Sequence, residues 1–431
     1  MHNIATEGLD RAILVGIELG AAEGISTEES LAELRALTLS AGASVEATVS
    51  QKLKAPDPRT FIGKGKAGEV REIAQRTGAT VVIFDDALSA AQARNLETEL
   101  KLRVIDRSQL ILDIFALRAR TLEGKLQVEI AQLAYLQPRL TRQWSHLSRV
   151  RGGGSGGGTG GGGGVGTRGP GETQLEVDRR RLREKLTRLR VRLREVERTR
   201  TIQRRRRLEV PYPTVALVGY TNSGKSTLMN ALTDAGVEVA NRPFSTLDPT
   251  IRRLRLPGRI TVMLADTVGF IHRLPHGLVD AFKATLEEVR TASLLVHVVD
   301  ASSALAPERI EIVDRVLSEI GAGATARIIA MNKCDLAEHP PAIAGEHDTV
   351  AISALSGTGL PALLETIARH FGGTREEVAV TLAASRGDLI AMARRDGEVI
   401  SEEYSDGRVA MRALVSKTVA GRLRKAALAI A

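Results

Sequence analysis

The sequence predicts an α/β protein in four parts: an N-terminal α/β domain (residues 1–110), an antiparallel helical coiled-coil hairpin (111–208), an open α/β sheet domain (209–371) and a small C-terminal α+β domain (372–431). Three observations carry this reading. Short apolar, β-branched runs alternate with amphipathic stretches through the first hundred residues and again from Val215 to Ile352, as layered α/β folds require. Two apolar stripes at 4-3 spacing flank a glycine run. A glycine-rich loop joins a buried strand to a helix at Gly219–Ser226.

Composition narrows the function classes. The 431 residues are 43% apolar, enough for several cores. No apolar run approaches the roughly 20 residues that span a bilayer, and the N-terminus lacks a basic segment followed by a long apolar one. A cytosolic chain without integral membrane association is expected. Cys334 is the single cysteine, which excludes an internal disulfide framework and a cysteine metal cluster and suits a reducing compartment. The net charge of +9 points to a polyanionic partner.

In the N-terminal part, Ile13–Ile17, Val81–Asp85 and Val104-Ile105 read as strands, and Glu28–Leu39 and Ser89–Leu100 as helices, the second marked by Ser89 as N-cap with Gln92 three residues on. Ile62-Gly63-Lys64-Gly65-Lys66 has the residue types of a second phosphate-binding loop, but a surface turn with two solvated lysines is the expected reading. Asp85 and Asp106 stand at strand ends, where catalytic carboxylates and ordinary turn chemistry look alike.

Apolar residues at Leu126, Ile130, Leu133, Leu140, Trp144 and Leu147 predict one helix kinked at Pro138, and Leu175, Leu182, Leu186, Leu189, Leu193 and Val196 predict a second. Each stripe is too narrow to stand alone, so the two are paired antiparallel; the other reading lays each on a different domain. Between them, 12 of the 15 residues from Gly152 to Gly166 are glycine. Such a run is either an inert linker or, at the tip of a basic hairpin, a loop without side chains that follows a nucleic-acid backbone closely. Residues 178–207 hold 15 Lys/Arg against 4 Asp/Glu, a net +11 that exceeds the charge of the whole chain. Most are Arg, whose planar fork suits phosphate, and with only Trp144 nearby as an aromatic, base-stacking platforms are not expected. The phosphate backbone or the shape of a folded RNA is the favoured partner, with no DNA expected.

The third part carries the chemistry. Gly219-Tyr220-Thr221-Asn222-Ser223-Gly224-Lys225-Ser226 fits the phosphate-binding pattern G-x-x-x-x-G-K-[ST], between the strand Val215–Val218 and the helix through Leu228–Leu232. Backbone N–H groups and the helix N-terminus would cradle phosphates, Lys225 would bridge the β- and γ-phosphates, and Ser226 would ligate Mg²⁺. Phe244-Ser245-Thr246-Leu247-Asp248-Pro249-Thr250 has no helical period and reads as a switch loop, with Thr246 completing the Mg²⁺ shell and Thr250 the second choice. The strand Ile260–Ala265 ends in Asp266-Thr267-Val268-Gly269, where Asp266 would hold Mg²⁺ through water and the Gly269 N–H would sense the γ-phosphate. Leu294–Val299 and Arg327–Met331 are further buried strands, the second leading into Asn332-Lys333-Cys334-Asp335. A carboxylate at Asp335 accepts both N1–H and the 2-amino group of guanine, which selects GTP over ATP. Asn332 would contact N7 and O6, the Lys333 stem would cover the ring, and the backbone of Ser353-Ala354-Leu355, after the strand Val350–Ile352, would meet O6. All stand at carboxyl ends of strands, where open α/β sheets bind ligands. Phe270 occupies the place of the water-orienting Gln of Ras-like GTPases, so slow intrinsic hydrolysis and activation by a partner are expected, with Lys225, Asn222, Thr246 and Gly269 as the catalytic set. Asn222 resembles the P-loop Asn of K⁺-stimulated GTPases, which makes K⁺ a candidate second cation. In the last part, Asp388–Arg394 and Arg408–Val415 are read as strands around an Asp396-Gly397 turn.

This ordered set is similar to translation-factor-class GTPases, and the wider features resemble the HflX family: Pro56-Asp57-Pro58-Arg59-Thr60-Phe61-Ile62-Gly63-Lys64-Gly65-Lys66, Asp113-Ile114-Phe115-Ala116, Gln127-Val128-Glu129, the glycine loop with Gly169-Pro170-Gly171-Glu172-Thr173-Gln174, and Asp266-Thr267-Val268-Gly269-Phe270-Ile271. The resemblance implies a ribosome-associated GTPase that binds the large subunit with its hairpin toward the rRNA and splits or rescues stalled ribosomes; a monomer is expected. It also implies ATP hydrolysis by the N-terminal part in some members, which keeps Gly63–Lys66 open as a minor site. Two other classes compete: a GTP-dependent switch that docks a protein through the hairpin, and an RNA-remodelling ATPase driven by the N-terminal domain.

Overall fold

The computed structural model describes residues 10–19, 25–139, 170–208, 212–233, 243–244, 250–272, 286–337, 347–372 and 375–427, and the chain divides near Arg200 into two compact units. In the first unit, β1 (Arg11–Leu19), α1 (Thr27–Ser40), β2 (Ser44–Leu53), α2 (Lys64–Thr77), β3 (Val81–Phe84), α3 (Ala90–Leu100), β4 (Arg103–Asp106) and α4 (Arg107–Arg118) follow in turn. All four strands are parallel, in the order β2-β1-β3-β4. Ile13, Val15, Val82 and Phe84 are fully buried in a core with Val70 and Leu96 from the helices. Ser26 and Ser89 both close capping boxes, with Glu29 and Gln92, so two helix starts are set by local chemistry.

Two departures from the sequence reading stand out here. Gly63–Lys66 is the start of α2 rather than a turn: Gly63 is the N-cap, its N–H donates to Gln51 Oε1 at 3.0 Å, and Lys66 pairs with Glu69 at 2.7 Å. The boundary drawn at residue 110 falls inside α4, which packs on α1 and β4 and belongs with the N-terminal sheet.

Asp85 and Asp106 are structural. Asp85 Oδ1 accepts from Arg107 Nε at 2.9 Å and Nη2 at 2.6 Å, its Oδ2 accepts from Ser30 Oγ at 2.6 Å, and Arg107 also pairs with Glu33 at 2.7 Å. Arg107 is 2% exposed and Asp85 3%. Asp106 caps α4 at Gln109 and accepts from Leu88 N–H and Arg139. These hydrogen bonds occupy both carboxylates.

α5 (Leu122–Leu136) packs against α4, burying Leu126, Gln127, Val128 and Ala131, and a 3-10 turn follows at Gln137–Arg139. The α-helix thus stops at Leu136, before Pro138, as the ring demands; the rest of this predicted helix, from Leu140 on, and the glycine tip lie outside the described residues. α6 (Pro170–Leu208) is a 39-residue helix, roughly 58 Å at 1.5 Å per residue. Its seam shows in the burial: Leu186 is buried and Leu182, Leu189, Leu193 and Val196 are half-buried, while Arg180, Arg181, Arg183, Arg188, Arg190 and Arg192 are exposed. Lys185 ties it to Glu129 of α5 at 2.7 Å.

The second unit holds two sheets. The larger contains β5 (Thr214–Val218), α7 (Lys225–Leu232), β6 (Thr250–Leu256), β7 (Ile260–Asp266), α8 (Glu287–Arg290), β8 (Leu294–Asp300), α9 (Ala306–Glu319), β9 (Arg327–Asn332), β10 (Asp348–Ala351) and α10 (Leu360–Gly372), with strand order β10-β9-β8-β5-β7-β6. Only β6 is antiparallel, to β7. The smaller sheet is β11 (Arg375–Ala383), β13 (Arg408–Ser416) and β12 (Glu398–Ser405), in that order, with α11 (Gly387–Asp396) and α12 (Lys417–Ala426). Asp388–Arg394, expected as a strand, is helix α11. Adjacent Leu389 and Ile390 and then Met392 and Ala393 are all buried, which a period of two cannot arrange and a helical face can. The hairpin turn sits at Asp406-Gly407, both at positive φ (46° and 72°), not at Asp396-Gly397.

Replacing Asp85 with Ala leaves the Arg107 guanidinium buried without its main partner, a defect of about 3–5 kcal/mol. Amide hydrogen exchange in the full chain is the readout: protection of β1 and β3 is expected to fall by about two to four decades while β5 and β8 keep theirs, and unchanged protection of β1 would refute the assignment.

Candidate nucleotide site

The phosphate loop is held in shape by its glycines. Gly219 (φ 149°) passes so near β8 that a Cβ would lie 2.3 Å from the Val298 carbonyl oxygen, and a Cβ on Gly224 (φ 97°) would lie 2.2 Å from Asn332 Nδ2. Asn222, at φ 60°, is exposed, whereas Tyr220, Thr221, Ser223, Lys225 and Ser226 are buried. Lys225 Nζ donates to the carbonyls of Gly219 (3.1 Å) and Tyr220 (2.8 Å). Burial pushes its pKa down to about 8, with the Asp266 carboxylate pulling the other way. Ser226 Oγ donates to Asp266 Oδ2 at 2.7 Å, so the helix start after the P-loop and the end of β7 meet at one hydroxyl–carboxylate pair.

After β7 the chain crosses back to the P-loop. Thr267 Oγ1 donates to the Leu217 carbonyl at 2.6 Å, and both Thr267 and Val268 are buried, which leaves their backbone for any ligand. Gly269 fits where a Cβ would stand 2.9 Å from Thr221 Cα and 3.0 Å from Lys225 Nζ. Phe270 is 2% exposed and bridges Tyr220: its N–H donates to the Gly219 carbonyl at 3.1 Å and its carbonyl accepts the Thr221 N–H at 2.7 Å. Tyr220 Oη accepts the His272 N–H at 2.8 Å, and Arg309 of α9 lies 5.0 Å over the Tyr220 ring.

The base-side motif is built around Asn332, which is 2% exposed. Its Nδ2 donates to the Ser223 carbonyl at 2.8 Å and its Oδ1 accepts the Ala354 N–H at 2.9 Å. Its amide therefore clamps two loops rather than presenting itself to a base edge. Lys333, at φ 64°, donates from Nζ to Asp300 Oδ2 at 2.7 Å, which anchors the stem. The Cys334 N–H donates to the Ile352 carbonyl at 3.1 Å, and Asp335 is exposed. In the Ser353-Ala354-Leu355 trio, the Ser353 N–H is donated to the Thr358 carbonyl and that of Ala354 to Asn332, while Leu355 is 84% exposed.

The P-loop, the D-x-x-G turn and the Asn332 and Ser353 loops thus come together at the carboxyl ends of β5, β7, β9 and β10. Phe244 is buried at φ 57°; Ser245, Thr246, Leu247 and Asp248 lie outside the described residues, and Thr250 is the first residue of β6. Three participants were not singled out in the sequence. Asp300 is a strand-end carboxylate, the one signal that pointed to it. Arg309 and His297 gave none; His297 is buried on β8 and held neutral by burial, with Arg327, Lys225 and His347 adding to the effect and its pKa down at about 3.

Comparison with known proteins agrees with this geometry. Family models match along the chain: GTP-binding GTPase N-terminal over residues 28–116, GTP-binding GTPase middle region over 118–207, 50S ribosome-binding GTPase over 214–333 and HflX C-terminal domain over 341–427. The chain is 48% identical to GTPase HflX of Escherichia coli (strain K12) over 84% of its own length and 83% of that protein's. It is 45% identical to GTPase HflX of Caldanaerobacter subterraneus subsp. tengcongensis over 96% and 93%. Among solved structures it is similar to a GTP-binding protein from Sulfolobus solfataricus in complex with GDP, at 24% identity and a TM-score of 0.43, over 84% of this chain and 98% of that one. With a strand–loop–helix phosphate site, a D-x-x-G turn packed on it and matches that run from residue 28 to residue 427, the chain belongs to the HflX family and is a GTPase, converting GTP to GDP and phosphate.

Proposed function

We propose that this GTPase acts in the cytoplasm on the large ribosomal subunit, gripping rRNA through the arginine face of α6 when GTP is bound and releasing it after hydrolysis, in the splitting or rescue of stalled ribosomes. The observation that supports it most is the charge of 178–207: fifteen basic residues, with the described arginines turned outward along one long helix. Two of them, Arg180 and Arg188, stand 3.9 Å from Glu184. Exposed pairs of that kind contribute little in water, so a phosphate can compete for these two guanidinium groups.

Each nucleotide role rests on this chain's own groups. Lys225 is placed to leave the P-loop carbonyls for the β- and γ-phosphates, where an anion would restore its full charge. The buried hydroxyl–carboxylate pair of Ser226 and Asp266 is hard oxygen chemistry that suits Mg²⁺, with Thr246 as the ligand supplied from the switch loop. When bound, the cation neutralises charge on the β- and γ-phosphate oxygens. Asp335, exposed at the end of β9, is free to accept from guanine N1–H and the 2-amino group. The Gly269 N–H faces the γ-phosphate position as the sensor. Hydrolysis breaks the bond between Pγ and the β–γ bridging oxygen as water attacks Pγ, the water's protons end on the released phosphate, and the Phe270 ring carries no group that could orient or deprotonate that water. Phe270 is buried and fixed to the P-loop by its backbone, which accounts for a slow intrinsic rate and leaves acceleration to a partner.

Three outcomes are expected. GTP turnover is stimulated strongly by purified large subunits and the stimulation weakens as salt rises; deleting Gly152–Gly166 removes it, and a turnover indifferent to every ribosomal particle would overturn the ribosomal reading. Asp335→Asn replaces one of the two accepting oxygens by an N–H donor, and at about 1.5–3 kcal/mol for a bond to a charged group GTP binding should weaken roughly 10- to 100-fold while xanthosine triphosphate binding improves, measured by titration. K⁺ raises turnover above the rate in Na⁺, and Asn222→Ala abolishes the difference; equal rates in the two salts for the unaltered chain would sink the role given to Asn222.

A further inference from the structure

From the outer rim of the GTPase sheet, β6, we infer that a second RNA-binding edge exists, made by Arg252, Arg253 and Arg255 and taking the phosphate backbone of a folded RNA. This rests on the ribosomal reading above for its ligand class and goes beyond it in the surface used. β6 is the terminal strand of the sheet, and among the described residues no strand pairs with its outer row of backbone groups. Its seven residues, Thr-Ile-Arg-Arg-Leu-Arg-Leu, include three arginines and no acid. Leu254 and Leu256 are buried in the core, Arg253 and Arg255 alternate with them, and all three arginines are exposed.

In the C-terminal domain of the same unit, four surface arginines are matched with carboxylates: Arg386 with Asp388 at 3.0 Å, Arg394 with Glu402 at 2.6 Å, Arg424 with Glu376 at 2.9 Å, and Arg412 with Glu377. Among the described residues none of the β6 arginines has such a partner. Arg252 Nη1 returns to the carbonyl of its neighbour Ile251 at 3.0 Å, and Arg253 is braced over the Tyr212 ring at 5.2 Å. A single outward charge is enough to keep an edge strand from pairing with another chain. Three, one of them held in place by an aromatic ring, suit a ligand of repeated negative charge. Arg253 and Arg255 lie two residues apart on one strand, about 6.8 Å at 3.4 Å per residue, the scale of neighbouring phosphates on one nucleic-acid strand.

The position couples this edge to the nucleotide. Thr250, which opens β6, is the register partner of Asp266, and Arg252 is opposite Leu264 on the same strand of β7. The predicted switch loop 244–250 runs directly into β6. RNA held on Arg252 and Arg253 therefore restrains the strand that carries the switch loop, within two residues of the carboxylate assigned to Mg²⁺.

The test compares the full chain with R252Q/R253Q/R255Q and with R252K/R253K/R255K, each with a non-hydrolysable GTP analogue, binding to purified large subunits and to a naked structured rRNA fragment over a salt series. GDP affinity of both variants is expected to stay unchanged, which shows an intact site. The Gln variant should bind both ligands at least about tenfold more weakly, with a log–log salt slope smaller by about two to three, and the Lys variant should recover most of the slope. Equal affinity and slope for the Gln variant and the unaltered chain would overturn the proposal and leave the ribosomal reading standing. Loss on the subunit with no loss on naked RNA would also overturn it, since the edge would then be adding to a protein strand. If the unaltered chain ignores the subunit but its binding to naked RNA falls in the Gln variant, the edge stands and the ribosomal reading fails; binding to neither ligand overturns both.

Discussion

One buried amide holds the nucleotide site together. Asn332 lies between the P-loop and the loop after β10, donating to the Ser223 carbonyl and accepting from the Ala354 N–H, with only 2% of its surface exposed. Polar groups so deeply buried are costly unless both ends are satisfied, and here both are. The geometry also explains the second glycine of the loop, because any side chain at Gly224 would occupy the space of that amide. Phosphate-side and base-side elements are therefore one unit. A loop that cradles phosphates and a loop that frames the base cannot shift independently while Asn332 ties them.

How much of this was legible in the sequence follows from where the constraint comes from. The P-loop and D-x-x-G turn were readable because their spacing is dictated by phosphate and cation chemistry, and the flanking strands are buried on both faces and read as apolar runs. β2 escaped notice because its burial is partial along nearly its whole length, with Val49 alone buried, and no apolar signal distinguishes such a strand from a loop. β6 was hidden by its arginines. α2 begins with Gly63, Lys64 and Gly65, residue types that read as punctuation, although Ala67, Val70 and Ala74 lie on one buried helical face. Contacts made across the fold, such as Asn332 to Ser223 or Arg309 over Tyr220, have no local signature at all. Propensity and spacing report neighbours in the chain, and these are neighbours in space.

The second tie in the site concerns hydrolysis. Switch regions work because one ligand holds them and its loss lets them go, so the element must be loosely committed to the rest of the protein. Phe270 is the opposite: two backbone hydrogen bonds join it to Gly219 and Thr221, and its ring is buried. The end of the D-x-x-G turn is therefore tied to the P-loop. Tyr220 strengthens that link from the other side, through its hydroxyl to the His272 N–H and its ring to Arg309 of α9.

Charge follows a different logic from packing in this chain. The net +11 of residues 178–207 is larger than the +9 of the whole, so the remaining residues are slightly acidic in sum. A diffuse excess of lysines would raise affinity for any polyanion without direction; concentration on α6, with arginines repeated along an exposed face, gives the attraction a place and an orientation. The C-terminal sheet shows the contrasting state, where Glu376, Glu377 and Glu402 each hold an arginine. A paired arginine is already spent on its neighbour, while an unpaired one still carries the counterions that a phosphate backbone can displace. The carboxylate beside a basic residue therefore bears on whether it serves recognition or the scaffold, and on that measure the arginines of β6 differ from Arg394, Arg412 and Arg424 of the C-terminal domain.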